Sequence, residues 1–267
     1  MDLPLPYAHR GTVVRSVEIG RPTAGDIAGV ARLAGNGDPY AAMGAFVVGG
    51  TTEILADSGP LSARQDRVDA ARDMPFVDTN WVIVQILLGL GCSDRIEGAY
   101  DCPRCGKTLV SDEQSEDRVS LLSVRRPDPL EPQTITASLG HPVEVRNDKG
   151  AVVERVEVVE FRFATMADCS RAVKRSGEDS GRLNLEILRG TILKVNGNAV
   201  DDKYRSEWGD LIVSRMDVSD VREVSRLSGR FGYVDTIERC CSKCGKTWQA
   251  SVDLTGFFVS GLRGLSA

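Results

Sequence analysis

Two copies of one motif, Cys-x-x-Cys-Gly-Lys-Thr, occupy residues 102–108 and 241–247, and 135 residues (106–240) separate Cys105 from Cys241. A structural zinc site takes four ligands in a tetrahedron, and thiolates satisfy it well. A Cys-x-x-Cys pair can hold a metal from one tight turn. The glycine after each pair, Gly106 and Gly245, suits a backbone that must bend sharply there. One pair supplies only half a shell. The sequence therefore predicts a single zinc-ribbon-like site of four cysteines, Cys102, Cys105, Cys241 and Cys244, holding one structural zinc ion. Whatever fold the chain adopts must then bring these two distant segments together.

Other chemistries use the same residue types. A thioredoxin-like redox pair is one rival, but such a pair precedes a helix, whereas β-prone residues 107–110 and 246–252 follow these pairs. An iron–sulfur cluster also takes four cysteines; the doubled knuckle favours zinc over iron. Cys240 adjoins Cys241 and stays open as its substitute. The Gly-Lys-Thr triplets are not phosphate-binding loops, because Asp101 and Cys240 stand where such a loop needs glycine. Arg104, Lys107, Lys243 and Lys246 would offset the formal charge of about −2 on a tetrathiolate zinc centre, with phosphate contact as their alternative role.

Nothing in the sequence speaks for catalysis. Four thiolates leave zinc no open position for substrate. The motifs H-E-x-x-H, G-x-S-x-G and G-x-G-x-x-G are absent, and the two histidines, His9 and His141, read as surface residues. No enzymatic activity is expected.

Composition sets the class. A length of 267 residues, 42% hydrophobic and 27% charged, suits a soluble globular chain of one large domain or two smaller ones. The formal net charge of −5 gives no support for coating nucleic acid. The N-terminus lacks a basic start followed by an apolar run, and the longest apolar stretch, 81–92, is too short to span a bilayer. We expect a cytoplasmic chain with no membrane partner. In a reducing compartment paired cysteines bind metal more often than they form disulfides. Cys92, Cys169 and Cys240 read as small buried residues.

A repeat runs beneath the cysteine motif. At a shift of 142 positions Val17 meets Val159, Glu18 meets Glu160, Thr23 meets Thr165, Asp26 meets Asp168, Met74 meets Met216, Asp78 meets Asp220 and Val82 meets Val224. Losing one residue and then two more brings Cys102, Cys105 and Gly106 onto Cys241, Cys244 and Gly245. Chance is the alternative; matches that stay in order and end on cysteines favour duplication.

Each half reads alike. Alternating segments 12–19 and 153–161 predict strands. Thr23 with Asp26, and Thr165 with Asp168, have capping-box spacing, so a helix should start at each. Further helices are predicted at 38–49, 61–72 and 77–90, and at 183–194 and 217–228. The charged, proline-rich segment 111–134 reads as a linker, followed by a hairpin turning at 147–150. The expected fold is α+β, an internally duplicated unit: residues 1–128 with knuckle 102–106 and a linker from 111, then 129–267 with knuckle 241–245. Trp81, Val84 and Leu88 suit a core helix. Phe257 and Phe258 adjoin; on a strand one would pack inward while the other anchors a partner.

The segments 21–33 (RPTAGDIAGVARL), 94–107 (DRIEGAYDCPRCGK) and 241–258 (CSKCGKTWQASVDLTGFF) resemble small tail-assembly and baseplate proteins of contractile-tailed bacteriophages and related injection systems. The cysteine knuckle with its following 252–258 segment is similar to baseplate hub assembly proteins. The opening at 21–26 is similar to tail assembly chaperones of Mu-like phages. About half the chain is covered, and two units with a long linker depart from the family pattern. The resemblance implies a non-enzymatic role: binding tube, hub or tape-measure proteins, in the host bacterial cytoplasm during assembly or in the finished tail. The alternative is a zinc-ribbon module that binds nucleic acid or transcription machinery, against which the acidic balance counts.

Overall fold

A computed structural model describes residues 1–91, 95–96, 98–111, 119–120, 134–147, 149–177, 179–228 and 236–251. In the first half, β1 (Asp2–His9) and β2 (Thr12–Ile19) join through Arg10 and Gly11, both with positive φ (46° and 80°), the geometry of a two-residue hairpin turn. After them come α1 (Ala24–Gly35), α2 (Pro39–Gly49), β3 (Thr51–Ala56), β4 (Gly59–Leu61), α3 (Arg64–Asp73) and α4 (Phe76–Gly89). The strands form an antiparallel sheet in the order β1-β2-β3-β4. Short strands β5 (Arg95–Ile96), β6 (Gly98–Asp101), β7 (Thr108–Ser111) and β8 (Val119–Ser120) close the half; β6 pairs with β7 and β5 with β8.

The second half runs through the same kinds of element. The hairpin of β9 (Thr134–Arg146) and β10 (Val152–Arg162) leads into α5 (Met166–Ser176) and α6 (Ser180–Arg189). Then come β11 (Ile192–Val195), β12 (Asn198–Ala199), α7 (Arg205–Val213) and α8 (Val218–Ser228), and the ribbon of β13 (Thr236–Cys240) and β14 (Thr247–Ser251). Its sheet is ordered β12-β11-β10-β9, so the sequence order of strands across the sheet is that of the first half. The fold is mixed α+β, as expected.

Both predicted capping boxes form. Thr23 Oγ1 accepts from the Asp26 N–H at 3.2 Å and Asp26 Oδ2 accepts from the Thr23 N–H at 3.0 Å. The corresponding distances at Thr165 and Asp168 are 3.3 and 2.9 Å. Each box satisfies two backbone donors that a helix start would otherwise leave open.

The matched pair Asp78 and Asp220 has a specific job. Pro4 and Pro6 cannot donate to a ladder, and β1 slips register between Asp2 and Tyr7. The freed Leu5 N–H donates to Asp78 Oδ1 at 3.0 Å. In the second half β9 skips from Ser138 to Val143, beside Pro142, and the Gly140 and His141 N–H groups donate to the two Asp220 oxygens at 2.8 and 3.2 Å. In both places a buried aspartate on a late helix satisfies backbone donors released by an irregular first strand.

Two apolar clusters fill the interior. Val30, Phe46, Ile54, Met74, Ile86 and Leu87 centre the first; Val156, Phe161, Ile192, Ile212 and Val224 centre the second. Along α4, Val84 is buried as expected, together with Val82, Ile83, Ile86 and Leu87, whereas Trp81 and Leu88 are only partly buried. The clusters interlock: Met166 of α5 packs in the first and Leu5 of β1 in the second. The Phe76 N–H donates to Ala164 O at 2.9 Å, and the Met166 N–H to Met74 O at 3.1 Å, tying the start of α4 to the start of α5.

Several expectations need correction. The helix expected at 183–194 ends at Arg189, and Ile192–Val195 is strand β11. The signal missed is Asn196-Gly197, with φ of 48° and 82°, which turns β11 back into β12. Strands β1, β3 and β4 and helix α7 went unforeseen, and α3 begins at Arg64 because Leu61 belongs to β4. His9 is buried, not at the surface, with Nδ1 2.7 Å from Asp73 Oδ2; His141 is exposed as expected. Cys240 is exposed rather than buried, while Cys169 is buried. Of the expected linker, Ser111 lies in β7, 119–120 form β8 and Thr134 opens β9; its remaining residues lie outside the described ones, as do Cys92, Phe257 and Phe258. Among the described residues no helix is long and apolar enough to cross a membrane.

Candidate metal centre

Each cysteine pair sits at the tip of a two-stranded ribbon. In the first, the Cys102 N–H donates to Lys107 O at 2.9 Å and the Gly106 N–H to Cys102 O at 2.9 Å. In the second, the Cys241 N–H donates to Lys246 O at 2.9 Å and the Gly245 N–H to Cys241 O at 2.8 Å. Gly106 and Gly245 carry φ of 66° and 67°, the left-handed backbone that closes such a loop and that glycine enters without a steric cost. The two knuckles are thus the same structure made twice.

The ribbons meet tip to tip. Cys102 Sγ lies 3.6 Å from Cys244 Sγ, and Cys105 Sγ lies 3.6 Å from Cys241 Sγ. The first cysteine of each knuckle faces the second of the other, the exchange that a local two-fold relation produces. All four sulfurs lie within 4.8 Å of one another. Sulfurs bonded to one tetrahedral zinc at ~2.3 Å stand about 3.8 Å apart. A disulfide needs about 2.05 Å, so the close pairs are not bonded to each other. The donor set and its spacing fit one metal ion, and the pairing the sequence implied is the one the fold makes.

The electrostatics favour thiolate at the first cysteine of each knuckle. Burial pushes the Cys102 thiol up, but backbone N–H groups of Arg104 and Cys105 and the Cys244 thiol outweigh it and leave the pKa below its ordinary value. Cys241 behaves alike, with the backbone at Cys244 and Lys243 and the Cys105 thiol overcoming burial. A metal ligand must be deprotonated, so a loop that lowers a thiol pKa prepares it for binding.

Packing below the knuckles adds a contact that sequence reading missed. Tyr100 and Arg239, each two positions before the first cysteine of its motif, meet across the ribbons, with the guanidinium carbon 5.2 Å from the ring centroid. Leu109, Ile237 and Ala250 are buried beside them. The shared offset from the cysteines was the available signal. At the rim, Lys107 Nζ donates to Ser242 Oγ at 2.9 Å, a second link between the motifs. Arg104, Lys243 and Lys246 are exposed.

Comparison of the chain with family descriptions, with curated proteins and with solved structures finds no match.

Proposed function

We propose that Cys102, Cys105, Cys241 and Cys244 hold one structural zinc ion, that this ion clasps two copies of an ancestral unit, and that the protein is a non-enzymatic part of contractile phage tail or baseplate assembly. The observation that carries the metal reading is the convergence of one cysteine pair from each half on a single four-sulfur cluster. Four thiolates suit zinc and fill its shell, which leaves it to stiffen the fold rather than to bind substrate. Support for duplication comes from matching element order, paired capping boxes, the two buried aspartates and the two identical knuckles.

The assembly role rests on the likeness of segments 21–33, 94–107 and 241–258 to tail-assembly and baseplate proteins. Tube, hub and tape-measure proteins are the partners it implies, met in the host bacterial cytoplasm or retained in the virion. Gene neighbourhood tests it: flanking genes for tail sheath, tube and tape measure support the role, and a metabolic operon contradicts it.

A second reading, binding of nucleic acid, is favoured by the exposed bases Arg104, Lys107, Lys243 and Lys246 around the knuckles. Fluorescence anisotropy with labelled duplex and single-stranded probes separates the two. Saturable binding at physiological salt would support this second reading, and its absence the assembly role.

A further inference from the structure

Between α5, α6 and the start of α7 lies a cavity of about 340 Å³, far in sequence from the cysteines, lined by Arg162, Arg171, Arg175 and Arg205. Its two carboxylates, Asp168 and Glu186, are already served. Arg162 donates to both Asp168 oxygens, at 2.5 and 2.9 Å, and Arg189 donates to Glu186 at 2.6 Å. Arg205 is engaged with the Ile192 carbonyl oxygen at 3.0 Å. Arg171 Nη1 also donates to Asp168 Oδ1, at 3.3 Å, while Arg175 comes no nearer to Glu186 than 3.8 Å, and both side chains are about half exposed. Counted over the lining itself, four arginines stand against two carboxylates, which leaves two surplus positive charges on the wall, in a chain whose net charge is −5. Like charges gathered around a concave site repel unless an anion joins them.

The fold itself does not demand these two arginines. Arg171 and Arg175 follow the helix cap Thr165 by six and ten positions; Gly29 and Leu33 hold the same places after Thr23, and α1 forms there with the same capping box. We propose that the cavity binds a phosphate dianion, free or as the terminal group of a small ester. A phosphate monoester carries about −1.5 to −2 at neutral pH, which matches the surplus on the wall. Guanidinium forks fit phosphate oxygens, and the volume lies in the range of small-ligand sites, roughly 300–1,000 Å³. A lone carboxylate or a phosphodiester, with one charge, leaves half the surplus unmatched.

Calorimetric titration of the full chain with inorganic phosphate and with phenyl phosphate, at constant ionic strength, tests this. Acetate and dimethyl phosphate serve as monoanion controls. Saturable binding of a dianion at least ten-fold tighter than either control is expected, weakened ten-fold or more in the Arg171→Ala, Arg175→Leu double variant. Tighter binding of phenyl phosphate points to an ester, and equal binding to free phosphate. Dianion binding no tighter than acetate, or unchanged in the double variant, overturns the proposal. A readout on the unaltered chain covers misfolding of the variant: phosphate should slow phenylglyoxal modification of Arg171 and Arg175 but not of Arg15, which is paired with Asp57 elsewhere. Equal rates at all three arginines with and without phosphate would also overturn it.

Discussion

Asp220 does in the second half what Asp78 does in the first: each is a buried carboxylate on a late helix that accepts backbone N–H groups freed by an irregular first strand. The two differ in how fully they are satisfied. Asp220 uses both oxygens, whereas Asp78 Oδ2 is buried with no hydrogen-bond partner among the described residues.

Asp78 should therefore make stability depend on pH. Burial pushes its carboxyl well above the usual carboxylate range, and the Leu5 N–H only partly offsets this. Between the unfolded value, about 3.9, and the raised folded value, the native state holds more protons than the unfolded one, so stability falls as pH rises through that window. Asp78→Asn keeps an acceptor for Leu5 and removes the ionisation. Urea midpoints should show the variant gaining on the parent as pH rises from about 4 to 8. A difference that stays constant with pH contradicts this.

Thr23→Ala and Thr165→Ala each remove one cap and should cost about 1 kcal/mol. The second should cost more. The Asp168 side chain is 3% exposed against 10% for Asp26, so losing the Thr165 hydroxyl, 2.9 Å from Asp168 Oδ2, leaves a more deeply buried acceptor short of a donor. Equal losses in urea denaturation would show that burial of the cap does not matter.

Two glycine substitutions separate backbone strain from crowding. Gly106→Ala meets no atom within 4 Å, so its cost is that of holding alanine at φ 66°, about 1 kcal/mol, and it should weaken metal binding by opening the knuckle. Gly209→Ala places a Cβ 2.3 Å from the Arg189 carbonyl oxygen, where α7 crosses the end of α6. Those helices must part, at about 3 kcal/mol, with the cysteine site unaffected. Thermal melts with and without chelator distinguish the two.

How far the sequence reveals this structure depends on the range over which each signal acts. Thr23 with Asp26 and Thr165 with Asp168 are local chemistry, and both helix starts were readable. The cysteine motifs were readable at long range because cysteine is scarce and four ligands suggest one shared site. The helix expected through residue 194 failed because apolar Ile192 and Leu193 suit either period, and only the Asn196-Gly197 turn decides for a strand. His9 and the arginine cavity were hidden for another reason: their partners Asp73, Glu186 and Gly190 come from other elements, which no periodicity brings together. Asp78 and Asp220 matched in sequence, but what they bind depends on strand irregularities that only the assembled sheets reveal.

One ion shared by the two halves of the chain implies one metal per chain, a number that can be counted. Plasma mass spectrometry of the purified protein should find one zinc per chain, and Cys105→Ser and Cys244→Ser should each abolish tight binding although they alter opposite halves. Two zinc ions per chain, no metal at all, or a variant that keeps its full zinc would contradict a shared site.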